Sequence, residues 1–330
     1  MFLIDMHCDT ILSLWEQGEN ASLRKNGLSV DIEKMEQGHV LVQNFALFTH
    51  RKEEAIPEKR TMDLMDRYWS ELEHNKDRLA PVLCFEDIEK NARNHKISCL
   101  LTLEDGGVVF DNLAMLRNYY RLGVRMIALT WNYPNGIGYP NLSMDDFTDY
   151  KQASLLQKAD TENGLTEFGI RYIKEMERLG MIVDVSHLSD AGFWDVVKHT
   201  TKPFVASHSN ARALCPVARN LDDEMIRALD EKGGVMGLNF CGDFLESHAS
   251  ANGPSRVDAM VSHILHIRDV ASIDCIGIGT DFDGIHSELE IPNAAHMVKL
   301  EEALRKAGLT QEEIEKIFYK NVLRVYREIL

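Results

Sequence analysis

A short apolar run rich in β-branched residues, then a polar turn, then an amphipathic helical stretch recurs along this chain, and that unit restricts it to an α/β fold with parallel strands. The strand candidates are Phe2–Met6, Val40–Leu47, Ser98–Leu103, Val124–Thr130, Met181–Val185, Pro203–Ala206, Val235–Phe240 and Cys275–Gly279. Several are apolar almost throughout, the pattern of strands covered on both faces. Between them, Glu53–His74 sets Met62, Leu64, Met65, Tyr68 and Trp69 at roughly helical spacing. Thr166–Leu179 places Phe168, Ile170, Ile173 and Met176 on one side behind Thr166 as a cap. Asp222–Leu229, Ser255–Val270 and Ala294–Ala307 read alike, and Thr310-Gln311-Glu312-Glu313 opens a further helix with a capping box.

No internal repeat, low-complexity tract or Pro/Ser-rich linker divides the 330 residues, so residues 1–330 are expected to form one domain. Eight strand candidates in that length fit a single (β/α)8 TIM-type barrel, with a doubly wound open sheet as the alternative. A barrel carries its chemistry where the strands end, on the carboxyl-end face. The residues that close each apolar run are therefore the ones to inspect.

The first run ends in Asp5-Met6-His7-Cys8-Asp9, where His7 and Asp9, two apart in extended chain, point to the same side. The third run ends in Glu104-Asp105-Gly106-Gly107, and the fifth in Asp184-Val185-Ser186-His187. The sixth reads on into Ser207-His208-Ser209, and the eighth into Gly279-Thr280-Asp281-Phe282-Asp283-Gly284. Three histidines and three carboxylates thus fall at one level of one barrel. Imidazole and carboxylate form the ligand set of a borderline divalent metal such as zinc. His7, Asp9, His187 and His208 are expected to hold two ions with Glu104 shared. Two such ions can carry a bridging hydroxide and activate a carbonyl together.

Each residue alone is weak evidence. A lone histidine after a strand is more often a hydrogen-bonded structural residue, and Asp281 or Asp283 has an ordinary use as a helix cap. His263 and His266, three apart in a helical stretch, are read as surface or packing residues. The common location raises the metal reading, because the ordinary explanations predict none.

Composition excludes other classes. With 36 Lys and Arg against 52 Asp and Glu the formal charge is −16, which repels nucleic-acid backbones and anionic membranes. No run approaches the roughly 20 apolar residues of a membrane span. Met1–His7 lacks the basic flank of a secretion signal, and Val325–Leu330 is amphipathic rather than a lipid-anchor tail, so a cytoplasmic location is expected. The six cysteines, Cys8, Cys84, Cys99, Cys215, Cys241 and Cys275, are scattered and read as free thiols. No phosphate-binding G-x-x-x-x-G-K-[ST] occurs, and Gly277-x-Gly279 lacks the third glycine of a dinucleotide fingerprint.

Taken in order, His7-x-Asp9, Glu104-Asp105-Gly106-Gly107, Ser186-His187, Ser207-His208-Ser209, Arg219-Asn220 and Gly279–Gly284 resemble the membrane (renal-type) dipeptidase family, peptidase family M19. The resemblance runs from residue 4 to Asn321–Tyr326. It implies a (β/α)8 metallohydrolase of the amidohydrolase type with two zinc ions per chain. By that resemblance His7 and Asp9 bind one ion, His187 and His208 the other, and Glu104 bridges them. Arg219 matches the family arginine that contacts substrate, and Asp281 the aspartate that handles the proton. Two departures stand out. Trp131 falls where the family often has a histidine that polarises the substrate carbonyl, and is read as a wall of the substrate pocket. The mammalian relatives are lipid-anchored and disulfide-bonded, so this chain resembles the shorter bacterial members.

The activity implied is hydrolysis of dipeptides, L,L and L,D, with no nucleic-acid or membrane partner and with a homodimer as the family suggests. The segment Trp131–Asn163 is expected to form the rim that chooses side chains. The nearer rival is another amidohydrolase activity on the same site, such as cleavage of an N-acyl amino acid, a lactam or a lactone. The more distant rival is a non-catalytic barrel that binds without reacting.

Overall fold

The computed structural model describes residues 1–142, 157–247 and 252–330. Its strands are β1 (Leu3–Asp5), β2 (Val40–Phe48), β3 (Leu79–Pro81), β4 (Ile97–Glu104), β5 (Val124–Ala128), β6 (Ile182–Asp184), β7 (Val205–Ser209), β8 (Val235–Leu238) and β9 (Ile276–Ile278). All pair in parallel, in the order β2-β1-β9-β8-β7-β6-β5-β4. A long β2–β4 ladder, from Val42 opposite Ser98 to Phe48 opposite Glu104, joins the two ends of that order. Eight strands therefore close into a barrel, and the open-sheet alternative is excluded. The short β3 lies beside the start of β4, with Leu79 opposite Ile97, outside the closed ring.

The helices between strands form as their caps and apolar faces dictate. Thr166 Oγ1 accepts from the Gly169 amide, and Asp222 accepts from the Met225 amide at the head of Asp223–Glu231. Thr310 and Glu313 form the reciprocal capping box of Gln311–Glu315. One apolar layer lies between barrel and helices. A second fills the barrel itself: Ile4, Met6, Val42, Leu100, Met126, Ile182, Val205 and Val235 meet Val322, Val325 and Tyr326 of the last helix, Asn321–Ile329. That helix plugs the amino-terminal mouth, so the interior is apolar below and turns polar toward the carboxyl ends. Among the described residues, no helix is long and apolar enough to cross a membrane. All six cysteines are free, and Cys8 is buried with its thiol donating to the Asn44 carbonyl.

His263 is a packing residue, as expected. In helix Val257–Val270 its Nδ1 accepts from the Ala211 amide at 3.1 Å and its Nε2 donates to the Leu245 carbonyl at 2.8 Å. Burial pushes its pKa down to about 4 from the ordinary 6.5. A histidine depressed on folding contributes its full stability above about pH 6.5 and loses it as pH falls toward 4. From pH 7 to pH 5 the wild-type protein is expected to lose about 2 kcal/mol relative to His263→Gln. Urea melts of both proteins at the two pH values measure this, and a constant difference between them refutes it.

Candidate metal centre

The polar upper end of the barrel gathers side chains from strands far apart in sequence. Past β1, a bridge between Cys8 and Phe282 continues the pairing with the segment after β9, which sends His7 and Asp9 to the side opposite Cys8. His7 Nε2 lies 3.3 Å from Asp9 Oδ2. Glu104 closes β4, level with Phe48 and Ala128. His187 follows β6 at φ +70°, and Asp281 follows β9 at φ +61°, both in the left-handed region that most residues avoid. His208 lies within β7. Gly284 lies against both carboxylates: a Cβ there would stand 2.2 Å from Asp9 Oδ2 and 2.6 Å from Asp281 Oδ1, so a larger residue would push them aside.

The six expected residues converge. Glu104 Oε1 is 2.9 Å from His187 Nε2 and 3.7 Å from His208 Nε2, and Oε2 is 3.8 Å from His7 Nε2. His187 Nε2 and His208 Nε2 face each other at 3.1 Å. Asp281 Oδ1 is 3.9 Å from His7 Nε2, while its Oδ2 accepts from Asn239 Nδ2 at 2.9 Å. The ligand atoms of His7, Glu104 and His208 all lie within 4.8 Å of one another, as do those of His7, Asp9 and Asp281.

The electrostatics match a place built for positive charge. Burial alone would lower His7, yet Asp9, Glu104 and Asp281 around it raise its pKa to about 10. Burial, reinforced by Asp9, pushes Glu104 well above the usual carboxylate range and also raises Asp281. His187 and His208 are held neutral, chiefly by burial and then by the nearby charges of Arg219 and His7.

Hydrogen bonds on the far sides of these two rings fix their tautomers. His187 Nδ1 lies 2.8 Å from Asn132 Oδ1, which can only accept, so the ring proton is on Nδ1. His208 Nδ1 lies 2.7 Å from Ser207 Oγ, and that hydroxyl donates to the buried Asp184 carboxylate, so again Nδ1 carries the proton. Both Nε2 atoms therefore present lone pairs to each other and to Glu104, while Asp9 Oδ1 is buried with no hydrogen-bond partner among the described residues. Acceptors facing acceptors repel unless a proton or a cation lies among them, and imidazole and carboxylate donors converging in this way fit a divalent metal.

Arg219 and Trp131 border this centre. Arg219 is buried after β7, donating to Ser209 Oγ at 2.8 Å and to the His208 carbonyl at 3.0 Å. Trp131 packs 4.7 Å from Phe48 and 5.2 Å from His50, centroid to centroid. Asp9, Glu104, His187, Asp281 and Trp131 share a cleft of about 410 Å³. Residues 143–156 of the expected rim lie outside the described residues. Sequence reasoning missed Asn132, Asp184, Asn239 and His50. Asp184 lies in the Met181–Val185 run and Asn132 in the Trp131–Asn163 segment, where the sequence offers no sign of which way they face.

A closed (β/α)8 barrel with imidazoles and carboxylates gathered at its carboxyl ends defines a metallohydrolase of the barrel type. Comparison with known proteins narrows the class: the membrane dipeptidase family, peptidase family M19, matches residues 1–330. The chain belongs to that family and is a metallodipeptidase. An uncharacterized dipeptidase of Schizosaccharomyces pombe is 33% identical over 323 residues, 92% of this chain and 73% of that protein. The fold matches the crystal structure of dipeptidase AC, a metallopeptidase of family M19, with a TM-score of 0.89 at 24% identity over 100% of this chain and 98% of the other. A metallopeptidase from Rhodobacter sphaeroides, liganded with a phosphinate mimic of L-Ala-D-Ala, matches at TM-score 0.88 and 23% identity, over 100% and 99%.

Proposed function

We propose that this chain hydrolyses the peptide bond of L,L and L,D dipeptides with two zinc ions, one held by His7 and Asp9, the other by His187 and His208, and Glu104 shared. The observation that carries the reading is the meeting of two imidazole lone pairs and a carboxylate oxygen within 3.7 Å, with their outer nitrogens already satisfied. When bound, such ions lower the pKa of a water toward neutrality and polarise the substrate carbonyl.

The protein's own groups supply the rest. Asp281, oriented by Asn239, accepts the proton of the attacking water and returns it to the departing amine, each step starting from the state the other leaves. Arg219 pairs with the terminal carboxylate of the dipeptide and sets the scissile bond over the centre. Trp131 walls the cleft and can donate one indole hydrogen bond. The enzyme is further proposed to act in the cytoplasm, as a homodimer, on small dipeptides alone.

The direct test is metal content per chain, together with hydrolysis of a panel of L,L and L,D dipeptides and N-acyl amino acids. Close to two zinc ions with dipeptide cleavage supports the proposal. Two ions with acyl-amino acid cleavage only shifts it to the other amidohydrolase activity, for which Trp131 in place of histidine is the favouring observation. No bound metal after zinc is supplied refutes it.

The outer hydrogen bonds give a finer expectation. Removing a partner that orients a ligating imidazole weakens metal binding by about 10–100-fold. Ser207→Ala and Asn132→Leu should each do so in zinc titrations of the chelated protein, whereas His266→Gln, outside the barrel, should not. Equal zinc affinity in all three would refute the orienting role.

A further inference from the structure

Unlike groups stand at different places around the cleft, with Phe244 lining it and Arg219 buried behind that ring. Arg219 follows β7, and Phe244, whose ring centroid lies 5.7 Å from the Arg219 guanidinium carbon, follows β8. In the ring order, β2 and β4 lie across from β7 and β8, while β5 is next to β4 and two places from β7. There Phe48, His50 and Trp131 line the same cleft. Register sets their height: Phe48 and Ala128 are level with Glu104, so His50 and Trp131 stand two and three residues farther up. Their rings are continuous, with centroids 4.7 Å apart for Phe48 and Trp131, 5.2 Å for His50 and Trp131, and 6.0 Å for Phe48 and His50.

Charge closes this corner. Glu53 lines the cleft beside the wall, its Oε1 3.4 Å from His50 Nε2, with 76% of its side chain exposed. Glu16 lines the cleft as well.

We infer that the Phe48–His50–Trp131 wall with Glu53 is the subsite for the side chain of the dipeptide's amino-terminal residue, and that it selects a long cationic side chain, guanidinium ahead of ammonium. The inference rests on the dipeptidase reading: with the terminal carboxylate at Arg219, the amino-terminal residue extends across the cleft to this wall. A guanidinium lies flat on an aromatic face while its edge meets a carboxylate, which a compact ammonium does less well. An aliphatic side chain gains only the apolar contact. An acidic one meets the carboxylates of Glu53 and Glu16.

The test is kcat/KM of the zinc-loaded enzyme for Arg-Ala, Lys-Ala, Leu-Ala and Glu-Ala, at low salt and at high salt. Arg-Ala is expected to exceed Leu-Ala by about tenfold, mainly through KM, with Lys-Ala between them and Glu-Ala lowest. High salt should narrow the spread. Glu53→Gln should lower kcat/KM for Arg-Ala severalfold more than for Leu-Ala. Leu-Ala matching or exceeding Arg-Ala, or Glu53→Gln lowering both substrates equally, overturns the subsite assignment and leaves the dipeptidase reading standing. Cleavage of none of the four by the zinc-loaded chain overturns both.

Discussion

Asp281→Asn is expected to lower kcat for dipeptide hydrolysis by about 10²–10⁴-fold while leaving the metal content near that of the wild type. The substitution keeps the side chain's size and its hydrogen bond with Asn239, now between two amides, yet removes the only function an amide cannot perform, that of accepting a proton. Asp281 Oδ1 lies 3.9 Å from His7 Nε2, at the edge of the cluster rather than between the facing imidazoles of His187 and His208. Loss of the acid–base group is therefore separable from loss of the ions. Turnover by the asparagine variant at the wild-type rate would exclude Asp281 as the proton carrier.

Glu104→Gln should go further and remove both metal and turnover. Glu104 is 6% exposed and reaches all three histidines, with one oxygen toward His187 and His208 and the other toward His7. A neutral amide there takes away the negative charge that offsets the burial of two divalent ions and leaves an N–H pointing where a lone pair is needed. The expected result is at most one weakly held ion per chain and activity indistinguishable from that of the chelated wild type. Thermal melts give an independent reading. Zinc at about 100 times its dissociation constant stabilises a specific site by about 2.7 kcal/mol, several degrees in Tm for a chain of this size. The wild type should show that rise and Glu104→Gln should not. A wild-type melt and turnover that ignore both chelator and zinc would refute a metal-dependent site.

All eight strands of the closed ring could be read as apolar runs, because parallel strands buried on both faces leave little room for polar residues. The ninth, Leu79–Pro81, escaped because three residues ending in proline, two of them only half-buried, carry no such signal. The apolar rule also misplaced the upper ends. The apolar runs stop at Leu103 and Ala206, yet Glu104 and His208 both belong to the sheet. A barrel whose interior turns polar near its mouth continues its strands through the very residues that look like turns.

The ligand set was legible because its members share one level, a property that strand ends impose. What oriented those ligands was not. Asp184 acts on His208 through Ser207, a relation across two strands that no local pattern encodes. His50 was passed over for a similar reason: it gains its meaning from Trp131, 81 positions away in the chain and 5.2 Å away in space.

The pairing of the first strand with the last has a consequence for how this protein comes into being. β1 meets β9, and the Asp281 amide donates to the His7 carbonyl across 274 positions of sequence. Such distant closure is slow relative to local helix formation. A nascent chain that stops short of Ile276 can display His7, Asp9, Glu104, His187 and His208, but has no β9 against which β1 can settle. The complete constellation therefore appears only after β9 has left the ribosome. Uptake of metal would then mark a finished barrel and discriminate it from every truncated or half-made one.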